Sequence, residues 1–233
     1  MRRRVVLALV PALLVLPACS GGEDSPPEET QAPEQVLQAA RERFEAAGGL
    51  HIELTSSTIP EGRDGVSRAV GDGIVDAERP AFTGEITGRI QGNPAGVELI
   101  AIDEETWMSF FTEDFNPVDM ADLGAPNPAE LFRSETGVGR LLAETTQVQA
   151  GEKSRDGKDV LQTYSGTLPA GPVQDLFALG EAAQSFDVTY SIEPTSGELR
   201  AAKISGEFYE GSTTSYSVNL SEYGKSVTVD EPA

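Results

Sequence analysis

Phe82-Thr83-Gly84-Glu85-Ile86-Thr87-Gly88-Arg89-Ile90 alternates from end to end. Successive side chains of an extended chain point to opposite faces, so Phe82, Gly84, Ile86, Gly88 and Ile90 share one side and the polar residues take the other. One polar face per strand predicts an antiparallel sheet with one side in water. Glycine stands at every second place on the apolar side. It weakens a strand and marks a bend or the close approach of another group. Gly71, Gly73 and Val75 repeat the pattern one strand earlier, and Gly166 lies between Tyr164 and Leu168. Such an inner face curves sharply and leaves volume. Two readings stay open here: a cavity that takes a lipid, or a half-barrel core packed by helices, with glycine serving curvature alone.

The rest of the chain agrees with the sheet. Leu50, Ile52 and Leu54 alternate with His51, Glu53 and Thr55. Val97, Leu99 and Ala101 begin another strand, followed by a short one over 106–111 that contains Trp107. Further strands cover 160–168, 186–192, 202–208 and 216–220. Asn93-Pro94, Asp156-Gly157 and Pro194-Thr195-Ser196-Gly197 read as turns. Helices are few. Val36, Leu37, Ala40, Phe44 and Ala47 share a face at helical spacing before Gly48-Gly49. Asn127-Pro128-Ala129-Glu130 is a helix start, with Asn as cap and Pro at the first position. Its apolar face would be Leu131, Phe132, Val138, Leu141 and Leu142, with Gly137 and Gly139 able to split it. A shorter helix near Gly171-Pro172 carries Val173, Leu176 and Phe177. The expected fold is α+β: a strongly curved antiparallel β half-barrel over residues 34–233, with a few helices covering the concave apolar face.

The amino terminus reads as an export signal over residues 1–18. Arg2, Arg3 and Arg4 precede the apolar run VVLALVPALLVLPA. Fourteen residues reach about 21 Å as a helix, short of the roughly 30 Å hydrocarbon core. The run ends in Leu16-Pro17-Ala18-Cys19, which resembles the lipobox of bacterial lipoproteins, where the Cys is lipidated and becomes the first mature residue. Residues 19–33 then form a lipidated Cys and a tether too rich in Gly, Pro and acids to fold. The expected location is the cell membrane, lipid-anchored on its extracytoplasmic face.

Composition removes several classes of function. Acidic residues outnumber basic ones 38 to 17, for a net charge of −21. A surface this negative repels phosphate backbones, so nucleic acid is not a partner. One Cys and one His allow neither an internal disulfide nor a Cys/His zinc site. No nucleophile elbow or phosphate loop occurs. His51 falls on the outer face of its strand. Asp103-Glu104-Glu105, Glu113-Asp114 and Asp119/Asp122 could serve glycoside hydrolysis or calcium, yet 38 acids produce such pairs by chance and no EF-hand spacing supports them. We therefore expect no enzyme, no cofactor and no metal. Trp107, Phe110 and Phe111 read equally as core or cavity rim.

Several stretches, taken in order, resemble the actinobacterial LppX/LprA/LprF/LprG lipoproteins. They include the lipobox, the acidic tether, the helix into Gly-Gly-Leu-His-Ile-Glu-Leu-Thr-Ser, and Val70-Gly71-Asp72-Gly73 followed by Pro80-Ala81-Phe82-Thr83-Gly84. Thr106-Trp107, residues 122–131, Tyr164-Ser165-Gly166-Thr167-Leu168-Pro169 and residues 192–199 continue it. The resemblance implies a LolA-type half-barrel with a lipid cavity between sheet and helices. It also implies carriage of lipids or glycolipids, triacylated ones included, toward the outer envelope, in some members beside a major-facilitator transporter. On this basis Cys19 is the lipidation site. Leu37, Phe44, Phe82, Ile86, Ile90, Leu99, Phe132, Leu141, Leu142, Leu176 and Phe177 are the expected cavity lining of a monomer. The same half-barrel also resembles periplasmic domains that regulate envelope-stress signalling, so the alternative is a sensor that binds a partner protein without net lipid transfer.

Overall fold

The computed structural model describes residues 31–110, 114–181 and 183–232. Cys19, the export signal and most of the tether lie outside them. Helix α1 (Pro33–Glu45) opens on proline, whose missing N–H costs nothing at a first turn. It buries Leu37, Ala40 and Phe44, the stripe its spacing requires.

Five full strands and a two-residue one follow: β1 (Gly49–Ser56), β2 (Gly65–Ile74), β3 (Ala81–Ile90), β4 (Asn93–Ile102), β5 (Glu105–Ser109) and β6 (Asn116–Pro117). A 3₁₀ turn at Ala121–Leu123, another at Pro128–Phe132 and helix α2 (Val138–Glu144) lead to β7 (Thr146–Asp156) and β8 (Asp159–Pro169). Helix α3 (Ala170–Phe177) precedes β9 (Ser185–Ile192), β10 (Leu199–Tyr209) and β11 (Ser212–Ser221). The strands form one antiparallel sheet of 11, ordered β6-β5-β4-β3-β2-β1-β11-β10-β9-β8-β7. It is thus two meanders joined where β1 pairs with β11, Ile52 opposite Leu220 and Leu54 opposite Val218. The sheet does not close. It is the curved antiparallel half-barrel with few helices that the alternation predicts.

Three details differ from the sequence reading. The β3–β4 turn is Gln91-Gly92, one step before Asn93-Pro94, which open β4 opposite Ile90 and Arg89. Gln91 and Gly92 both have positive φ, 49° and 79°, as the twist of a two-residue hairpin demands. The segment after Asn127 divides: a 3₁₀ turn capped by Asn127, whose Oδ1 accepts from the Ala129 N–H at 3.0 Å, then α2 beginning after Gly137. Strand β7 escapes prediction altogether. It is an edge strand with only Val148 buried, so no apolar alternation betrays it. Its two register irregularities and its charges at Glu152, Lys153 and Arg155 keep that edge from pairing with another chain.

The helices and the 3₁₀ turn share the concave side. Helices α1, α2 and α3 lie over the C-terminal meander, against β7 to β10. The turn at Pro128–Phe132 lies over β2, β3 and β4. Phe177 of α3 packs on the C-terminal meander, with its ring 5.1 Å from Tyr216 of β11 and 5.6 Å from Phe208 of β10.

Candidate functional site

The glycines of the inner face divide the space beneath the sheet. Gly71 and Gly84 face each other across β2 and β3. A Cβ on either would stand 2.8 Å from the Phe82 ring, and one on Gly73 would stand 2.0 Å from the ring of Phe132. Phe82 and Phe132 stack with centroids 6.1 Å apart. Here the missing side chains make room for two rings, and the space is filled.

Further along the same strands no ring takes it. A cavity of about 110 Å³ lies where Ile86, Gly88 and Ile90 of β3 meet Val66 and Ala69 of β2 and Ala95, Val97 and Leu99 of β4. Leu54 of β1, Met108 of β5 and Tyr216 of β11 complete its sheet wall. Its roof is the segment from Met120 to Pro128 with Leu131, and the end of α3 with Leu176, Phe177 and Leu179. On β3 and β4 its lining runs from their hairpin inward to Leu99. Asp64 and Arg89 stand at the hairpin end, each tied to the turn: Gly92 N–H donates to Asp64 at 2.8 Å, and Arg89 donates to the Gly92 carbonyl at 3.0 Å. Apart from Asn127 the walls are otherwise aliphatic, glycine and aromatic, so the site can shield hydrocarbon and offers almost no chemistry.

Of the eleven residues expected in the lining, Ile86, Ile90, Leu99, Leu176 and Phe177 border the cavity. Phe82 and Phe132 fill the glycine-made space beside it. Leu37, Phe44, Leu141 and Leu142 are buried in the interior beneath the C-terminal meander. Sequence reasoning missed Leu54, Ala69, Val97, Met120 and Tyr216. Register would have found two of them, since Ala69, Ile86 and Val97 stand in one row across β2, β3 and β4.

The roof is pinned at its end. Arg133 donates to Asp103 at 2.6 Å and to Glu130 at 2.7 Å, and the Asn127 amide donates to the Asp103 carbonyl at 2.7 Å. Asp103, one of the expected acid cluster, is thus a structural clasp. Trp107 is half-buried and borders an open groove with Glu104, Glu105, Asp119 and Glu130. Phe110 is half-exposed, and Phe111 lies outside the described residues. Among the described residues no three His, Cys, Asp or Glu side chains are grouped to hold a metal ion.

His51 projects from the convex face, away from the cavity. Its Nδ1 lies 2.8 Å from Asp72, which also accepts from Lys225 at 2.8 Å. Partial burial works against the Asp72 carboxylate, but the hydrogen bonds from Lys225 and His51 outweigh it and hold its pKa below the usual 3.8. A lowered carboxyl pKa adds stability above the unfolded value and gives it up as pH falls through the folded one. Asp72→Asn should therefore lower the thermal midpoint at neutral pH, with the gap to wild type narrowing as pH falls below the unfolded carboxyl value and through the lower folded one. A gap that stays constant with pH would show that the carboxylate charge contributes nothing.

Solved structures share this architecture. LprF from Mycobacterium bovis superposes with a TM-score of 0.74 at 15% identity, covering 86% of this chain and 97% of that one. LppX from Mycobacterium tuberculosis gives 0.61 at 17% identity, covering 85% and 98%. At such identities the likeness speaks for the fold. No curated protein matches the chain in sequence. The family model for the LppX_LprAFG lipoproteins, however, matches residues 32–229, nearly the whole folded part, and the chain accordingly belongs to the LppX_LprAFG lipoprotein family.

Proposed function

We propose that the protein is a lipid carrier of the cell envelope, anchored through a lipidated Cys19 and holding the acyl chains of a lipid or glycolipid in the cavity under β2, β3 and β4. The observation that carries this reading is the apolar, partly open cavity beside a stretch of sheet whose other glycine-made space is filled. Each methylene moved from water into it contributes about 0.8 kcal/mol. Residues 1–18 act as the export signal and 19–33 as the tether, by the lipobox and the tether's composition. The cavity of about 110 Å³ is smaller than the roughly 300–1,000 Å³ of ligand pockets. Cargo of full size therefore enters as the roof moves outward. The roof suits this, because a 3₁₀ turn, a left-handed Gly124 at φ 62° and two prolines give it few internal hydrogen bonds. Monomeric action and handover to a major-facilitator transporter follow from the family resemblance.

Ile86 lies midway along the cavity wall and is only partly buried, so Trp at this place fills the cavity without entering the closed core. Ile86→Trp should keep the fold and lose the lipid. Native mass spectrometry of the unlipidated chain will show bound lipid in wild type and none in the variant; equal lipid in both would remove Ile86 from the site. Labelled lipid moving between vesicles separates a carrier from a sensor, which would bind a protein partner and pass nothing on.

A further inference from the structure

A buried phenol pair interrupts the apolar wall. Tyr216 lines the cavity, and its hydroxyl lies 3.0 Å from that of Tyr209. The two side chains are 1% and 3% exposed. They meet beside Gly65, also on the cavity wall, where a Cβ would stand 2.1 Å from the Tyr209 oxygen. Glycine at 65 thus gives the pair room at the hairpin end of the cavity.

Each phenol has one proton to donate, and the pair makes one hydrogen bond. Whichever hydroxyl donates to the other, one proton is left over. Among the described residues neither oxygen makes a further hydrogen bond. Burial pushes both hydroxyls above the usual tyrosine range, so both stay protonated. A buried donor without an acceptor is costly and calls for a partner. The charges at the same end, Asp64 and Arg89, oppose one another and favour neither sign. The uncharged, buried pair suits a neutral carbonyl oxygen, at the point where a chain entering from the hairpin end turns into plain hydrocarbon.

We infer that the Tyr209–Tyr216 pair donates a hydrogen bond to the ester carbonyl of the bound lipid, so that the cavity selects acyl esters over ether-linked chains. This rests on the cavity's being a lipid site. The pair is a specificity device that works as a unit. Removing one hydroxyl leaves the other with its proton free, so either single Phe variant keeps a donor and only the double variant has none.

The test presents the mature chain, carrying Cys19→Ala, with vesicles that hold equal amounts of a diacyl phosphoglyceride and its diether analogue of the same chain length. Bound lipid is then read by native mass spectrometry. Wild type should enrich the ester about fivefold, the worth of one hydrogen bond. Tyr209→Phe and Tyr216→Phe should each keep most of that preference, and the double variant should take up both lipids in the input ratio. An input ratio in wild type, or undiminished ester preference in the double variant, overturns the inference while leaving the cavity as a lipid site. Neither lipid bound at all would remove the cavity reading itself and this inference with it. The wild-type ratio decides even where the double variant fails to fold.

Discussion

Phe132→Ala should destabilise the folded domain by about 3–5 kcal/mol, the range for deleting a buried aromatic ring. Phe132 is fully buried, its ring covers Gly73, and it stacks on Phe82. Through Asp103, Arg133 and Asn127 hold the ends of the 3₁₀ turn that carries it, and Phe132 is its largest buried side chain over β2, β3 and β4. For a domain of about 200 residues the loss amounts to a fall in the thermal midpoint of roughly 6–20 °C. The geometry also predicts partial rescue. Gly73→Ala alone places a methyl group against the ring and destabilises, but in the Phe132→Ala background the methyl enters vacated space. The two changes should therefore cost less together than their separate costs summed, in a thermal or urea cycle. Additive losses would mean that the ring does not occupy the space Gly73 leaves.

Loss of the anchor should be close to complete. Exported behind a signal that is cleaved without lipidation, the chain carrying Cys19→Ala should leave the membrane fraction and appear in the soluble one. Several acyl chains on one residue anchor stably, since each buried methylene contributes about 0.8 kcal/mol. A net charge of −21 is repelled by anionic lipid and so gives no electrostatic substitute for them. Unchanged fractionation with membranes would place the anchor elsewhere.

The sheet was legible because half-buried strands must alternate. Leu50, Ile52 and Leu54 announced β1, and the stretch from Phe82 to Ile90 announced β3. β7 was illegible for the same reason: an edge strand with a single buried side chain has no alternation to show. The site was half legible. Alternation tells which face a residue is on, and Phe82, Ile86 and Leu99 do share the concave one. It does not tell what stands opposite. Phe132, brought from 59 residues away, fills the space by Gly73, whereas a cavity stays open beside Ile86. That difference between filled core and cavity is tertiary, and periodicity within a strand carries no trace of it. The Tyr209–Tyr216 pair was hidden likewise, since Tyr216 reads as one more apolar position of β11.

The most direct test of the central claim is the mass of the unlipidated chain isolated gently from its native envelope. The account predicts a species heavier than the polypeptide by one lipid, stripped by organic extraction and regained from vesicles. Bare polypeptide mass before and after exposure to those vesicles would contradict it.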